Sequence, residues 1–177
     1  MDLKYQALHH ALHKAKQGND GGGTAHLTYY IFEGVLVGII EAKFVHITAF
    51  SGGGGGSTRN RTSDSANNPY QYGLKEVDLK FKNQAKNIHI HGGPIPPGRY
   101  KILPPTHHEK LGLSAKLDSL QKLPNDRGGF YIHGTGPHGS DGCIVVGGSE
   151  FHTLMHDLKA SRGGSLVVCQ AMESAFA

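Results

Sequence analysis

The sequence predicts a mainly β fold with peripheral helices, in one domain spanning 1–177, and three observations carry that reading. Glycine is abundant, 26 of 177 residues, and falls largely in runs that supply turns and close backbone approaches. Short runs rich in β-branched and aromatic residues recur along the chain. Stretches with helical periodicity are few and lie between or outside those runs. A chain of this length buries a real core. With 37% hydrophobic residues and no Trp, that core is built from Leu, Ile, Val, Phe and Tyr.

Residues 2–17 read as an amphipathic helix with Tyr5, Leu8, Leu12 and Ala15 on one face, so that 1–20 forms an N-terminal helical segment closed by Gly18, Asn19 and Asp20. Three strands are expected next, at His26 to Phe32, Val35 to Ile40 and Lys43 to Phe50, with a turn at Glu33-Gly34. Residues 51–73 are a flexible loop rich in Gly, Ser and Asn. Val77 to Phe81 and Asn87 to His91 alternate like strands. The segment from Gly92 to Leu103 is a proline-stiffened turn followed by a strand. Leu113, Leu117 and Leu120 have helical spacing, which predicts a helix ending at Leu123-Pro124. Gly129 to His133 is a strand feeding a glycine loop, and Cys143 to Val146 starts the next strand. Ser149 is placed to cap a helix carrying Phe151, Leu154, Met155 and Leu158 on one face, and Gly163-Gly164 ends it. Ser165 to Gln170 is the last strand, and no internal repeat is present.

The net charge of +4 comes from dispersed Lys and Arg without interleaved stacking aromatics, which argues against a nucleic-acid partner and is compatible with a polyanion such as a cell wall. No run reaches the roughly 20 apolar residues of a membrane span, so no membrane insertion is expected. Met1 to Tyr5 lacks the basic-then-apolar start of a secretory signal, so synthesis in the cytoplasm without a signal peptide is expected. Two cysteines do not make a disulfide framework. Cys169 lies in an apolar strand and is expected to be inert, whereas Cys143 is flanked by Gly142 and Asp141.

His133 ends one apolar strand and Cys143 opens another, ten residues on. If the strands are neighbours, the loop between them brings imidazole to thiol. A free thiol, with a pKa of about 8.5, is mostly protonated near neutrality, and a neighbouring imidazole accepts its proton and stabilises the thiolate. Glycines around Cys143 offer backbone N–H groups to a developing oxyanion. Spacing alone leaves a second reading open, a small buried Cys and a hydrogen-bonded strand His. His138 is a candidate for substrate binding or a plain loop residue. Gly134 to Gly139 matches G-x-G-x-x-G, but Pro137 and the β-branched Ile144 to Val146 exclude a dinucleotide fold. The 13 His include i,i+4 pairs, yet none carries the Glu of a zinc-protease helix, and neither metal nor cofactor is expected.

Ile132-His-Gly-Thr135 followed by Ser140-Asp-Gly-Cys-Ile144 resembles the catalytic signature of L,D-transpeptidases. The short His-to-Cys loop, with Gly136 to Gly139, is more similar to the L,D-transpeptidase-like toxin domain of type VI secretion effectors. Gly93 to Ile102 resembles the strand opening that precedes this signature in both. The resemblance spans roughly residues 25–170 and implies an L,D-transpeptidase-like β-sandwich or barrel. It also implies that Cys143 attacks a peptidoglycan stem peptide, that His133 is the base, and that Ser140, Asp141, Gly142 and Gly134 belong to the motif and oxyanion region. Tyr131, His138 and Arg127 are the substrate-binding candidates. D-Ala leaves, and the acyl group passes to water, to another stem or to a free D-amino acid. The same resemblance implies action in a target-cell periplasm after secretion, an immunity protein in the producer and a secretion-machine partner. One departure stands out: Asp141 occupies the position where typical members have His, and a carboxylate beside a thiolate raises the thiol pKa unless it points away or pairs with an imidazole such as His138. Two other functions remain, an inactive wall-binding module and a different Cys–His hydrolase such as an amidase or protease.

Overall fold

The computed structural model describes residues 23–53, 67–73, 75, 77–80, 87–90, 92–136 and 140–172. The expected N-terminal helix, most of the 51–73 loop and His138 lie outside these residues.

The observed architecture is mainly β. Eleven strands are described: β1 (Ala25–Tyr30), β2 (Val35–Ile40), β3 (Lys43–Ser51), β4 (Val77–Lys80), β5 (Asn87–Ile90), β6 (Gly98–Ile102), β7 (Thr106–His108), β8 (Gly112–Ser119), β9 (Phe130–Gly134), β10 (Ile144–Val146) and β11 (Gly164–Cys169). One α-helix, α1 (Gly148–Ala160), joins the last two. The main sheet runs β6-β11-β1-β2-β3-β10-β9-β8-β7, and β6 also pairs with β8. That extra pairing, Tyr100 with Ser119 to Ile102 with Leu117, closes the sheet into a barrel and leaves β7 attached outside the ring. Closure removes the exposed ladder edges that an open sheet would carry. β4 and β5 form a separate two-stranded ladder.

Alternation along the strands decides which side chains fill the barrel. Tyr29, Leu36, Ala115, Leu117, Phe130, Ile132, Ile144 and Val146 share one core with Leu154, Met155 and Leu158 from α1. Burying side chains of this size contributes about 1.5–3 kcal/mol each. Tyr100 is fully buried, stands edge-on to Phe130 at 6.4 Å and donates its hydroxyl to the Pro96 carbonyl at 2.7 Å.

Two local expectations are corrected. Leu113 and Leu117 belong to β8 and not to a helix. Leu113, Ala115 and Leu117 also satisfy a period of two, and Ala115 and Leu117 point into the core while Lys116 is exposed and pairs with Asp118 at 2.8 Å. Pairing with β6, β7 and β9 selects the strand period over the helical one. Ser149 does not cap α1: Gly147 is the flanking residue, no side chain caps this end, and Ser149 lies in the first turn. Of the two helices the sequence suggested within the described residues, only α1 is present.

Candidate active site

β9 and β10 are parallel neighbours, with Ile144 beside Ile132 and Val145 beside His133. Cys143, one residue before β10, is therefore level with Tyr131. Two residues along a strand and one strand across amount to about 8 Å between the backbones of Cys143 and His133, a gap two side chains can span. The strands are neighbours, which is the condition the sequence left open for bringing imidazole and thiol together.

His133 is 3% exposed, and its Nδ1 donates to the Gly134 carbonyl at 2.7 Å. That bond selects the Nδ1–H tautomer and leaves the lone pair on Nε2. Nε2 is buried and has no hydrogen-bond partner among the described residues, so the Cys143 thiol does not bond it in this arrangement. Burial pushes the His133 pKa below the ordinary imidazole value of 6.5; the Gly134 bond opposes this and His108 adds to it. The imidazole is thus neutral at pH 7 and able to accept a proton at Nε2. Tyr131 is half-buried and meets the His108 ring edge-on at 5.0 Å.

The loop before Cys143 is held on three sides. Ser140 is buried; its Oγ donates to the Cys143 carbonyl at 2.7 Å and accepts from the Gly142 N–H at 3.1 Å. The Gly142 N–H is therefore engaged by Ser140 in this arrangement. Ser51, at the end of β3, donates its Oγ to the Gly142 carbonyl at 2.9 Å and accepts from the Ile95 N–H at 2.8 Å. Gly142 has φ +121, and a Cβ there would come within 2.5 Å of both Arg127 Nη2 and Phe130 Cε1. Only glycine fits this position.

Arg127 is buried against Phe130, its Cζ 5.2 Å from the ring centroid. It donates to the carbonyls of Gly93 at 2.7 Å, Pro94 at 2.6 Å and Asp141 at 2.8 Å, and also to that of Tyr72. A guanidinium engaged in this way ties three segments together, and the structure places it as an anchor of the Cys143 loop. The Asp141 carboxylate accepts the Gly92 N–H at 2.9 Å, so one oxygen is aimed at the 92–95 segment. Neither Cys143 nor Cys169 forms a disulfide; both are half-buried. Cys169 packs with Tyr30, Val37 and Met172 in a satellite cluster away from His133.

A cavity of about 550 Å³ lies against His133, between the β7–β8 turn and the start of α1. Lys110, Leu113, Gly134, Phe151 and His152 are among its walls, and Cys143 is not. His133 therefore faces this cavity from the strand that neighbours Cys143.

Sequence reasoning missed Ser51. Its only signal is a Ser closing an apolar strand before a glycine run, which many loops share.

No protein-family profile matches the chain, and no curated protein does. Among solved structures it is similar to the L,D-transpeptidase (residues 123–326) from Xylanimonas cellulosilytica DSM 15894, with 16% sequence identity and a TM-score of 0.47. The similarity covers 86% of this chain and 63% of that one, so the chain spans less than two thirds of that protein's length.

Proposed function

We propose that the chain is a cysteine-dependent acyl-transfer enzyme of the L,D-transpeptidase type, acting on peptidoglycan stem peptides. The observation that carries this reading is the state of His133: Nδ1 committed to Gly134, Nε2 buried and neutral, one strand from Cys143. Rotation of the Cys143 side chain brings Sγ to Nε2, and apo sites commonly hold such pairs loosely. The thiol proton passes to Nε2 and the thiolate attacks the stem-peptide carbonyl. The tetrahedral intermediate collapses as the imidazolium protonates the departing amine of D-Ala, leaving a thioester on Cys143. Water or an acceptor amine then attacks the thioester, His133 takes up its proton, and the thiolate leaves and is reprotonated. Hydrolysis makes the enzyme an L,D-carboxypeptidase; an amine acceptor makes it an L,D-transpeptidase or exchanger.

The motif from Ile132 to Ile144 supports one finer reading, an antibacterial effector delivered to a target-cell periplasm, with an immunity protein guarding the producer. Muropeptide mass spectrometry tests the chemistry. Tetrapeptide stems should lose or exchange D-Ala with the parent protein and stay intact with Cys143→Ala. Intact stems with both proteins would sink the reading.

The committed Gly142 N–H and the absent thiol–Nε2 bond favour a second function, a wall-binding module without turnover. In that case iodoacetamide alkylates folded Cys143 no faster than Cys169 in unfolded protein.

A further inference from the structure

The register places a second polar side chain beside His133. Ala115 and Ile132 pair across β8 and β9, and both belong to the core. Ser114 pairs with His133 one residue along, so these two side chains share the opposite face of the ladder. Cys143 is level with Tyr131 and one residue before the core residue Ile144, which puts it on that same face. The strand order β10-β9-β8 therefore sets Cys143 on one side of the imidazole and Ser114 on the other. Ser114 is 1% exposed, and its Oγ, like His133 Nε2, has no hydrogen-bond partner among the described residues. The two atoms do not bond each other either.

A buried polar atom in this state bears the full cost of its desolvation, and two of them on facing positions point to a shared guest. Facing Cβ atoms stand about 5 Å apart. One water joins polar atoms up to about 6 Å apart through two ordinary hydrogen bonds. Nε2 only accepts, because Nδ1 carries the ring proton, whereas the hydroxyl donates and accepts. The guest must give a proton to Nε2 and meet a hydroxyl, and water does both. We infer that Ser114 and His133 hold one water at Nε2, that this water is the acceptor of the acyl group, and that Ser114 is its positioning residue. The inference rests on the proposed acyl transfer and decides its outcome. An amine acceptor must displace the water before it reaches Nε2, so hydrolysis is favoured. Nε2 takes one proton of the water while its oxygen bonds to the thioester carbonyl carbon. The intermediate expels the Cys143 sulfur as thiolate, which takes that proton back from the imidazolium. The product is a shortened stem with a new carboxyl group.

The full-length parent, Ser114→Ala and Ser114→Thr are each given disaccharide tetrapeptide with an excess of D-methionine. Mass spectrometry counts tripeptide against the product that has exchanged D-Ala for D-methionine. The parent should make mainly tripeptide. Ser114→Ala should lower the ratio of hydrolysis to exchange by about three- to tenfold, the worth of one hydrogen bond. Release of D-Ala in the first turnover should stay near the parent's, and Ser114→Thr should restore the ratio. The alanine variant deletes a hydroxyl with no partner among the described residues, so its thermal unfolding should match the parent's. An unchanged ratio in Ser114→Ala, or exchange without hydrolysis in the parent, overturns the inference and leaves acyl transfer standing. Stems left intact by the parent remove the acyl-transfer reading and the hydrolytic role with it. The water site is then judged by a crystal structure of the Cys143→Ala protein. One water within hydrogen-bond distance of both Ser114 Oγ and His133 Nε2 keeps the site, and none there removes it.

Discussion

Arg127 donates through Nη2 to the carbonyl of Asp141 at 2.8 Å, and this bond fastens the loop that presents Cys143 to the 92–95 segment on the other side of the guanidinium. The position of Cys143 thus depends on a residue 16 places upstream.

Arg127→Lys keeps the charge and loses the fork. One ammonium cannot reach carbonyls of three separate segments, and each buried carbonyl left bare costs about 1–3 kcal/mol. Urea unfolding should show a loss of about 2–4 kcal/mol. Acyl transfer should fall even at temperatures where the variant is fully folded. A variant as stable as the parent would show that the network is dispensable.

Gly142→Ala forces a side chain into φ +121 and against Arg127 and Phe130. The backbone strain alone costs about 1–3 kcal/mol. The larger effect expected is on kcat, because relief of the clash moves the residue next to Cys143. Iodoacetamide reactivity of Cys143 reports the same displacement without substrate.

Ser51→Ala removes one hydroxyl that serves two buried backbone groups, the Gly142 carbonyl and the Ile95 N–H. The expected loss is about 1–3 kcal/mol, read from thermal or urea unfolding. Ser51→Thr keeps the hydroxyl and should recover part of it.

His133 makes stability depend on pH. Burial holds its folded-state pKa below the 6.5 of the unfolded chain. Between those values the unfolded state binds the proton and the folded state does not, so acid favours unfolding. The His133 contribution is full above pH 6.5 and is lost as pH falls through the folded value. The urea midpoint should therefore drop on acidification, and His133→Gln should flatten that slope. For the proposed acyl transfer, the acid limb of kcat/KM should also lie below pH 6.5, because His133 stays neutral further into acid.

Much of the β architecture was legible because strand signals are local. β2 was bounded from its β-branched run alone, and β1 and β3 to within two residues, since alternation and turns are written in consecutive residues. β8 was misread because its leucines fit both periods, and only its three strand partners decide between them. The two apolar runs flanking a short glycine loop were legible as strands, but their pairing stood only as a condition until the register showed it. Ser51 and the anchoring role of Arg127 were not, because their partners lie dozens of residues away in sequence.

By itself the sequence determined a mainly β chain with a His ending one strand and a Cys opening another, since periodicity and glycine placement act over a few residues. Closure of the sheet through β6 and β8, the tautomer of His133, and the commitment of the Gly142 N–H to Ser140 were decided only in three dimensions. Each of these depends on which backbone groups meet after the barrel closes, and hydrogen bonds across such distances leave no local pattern to read.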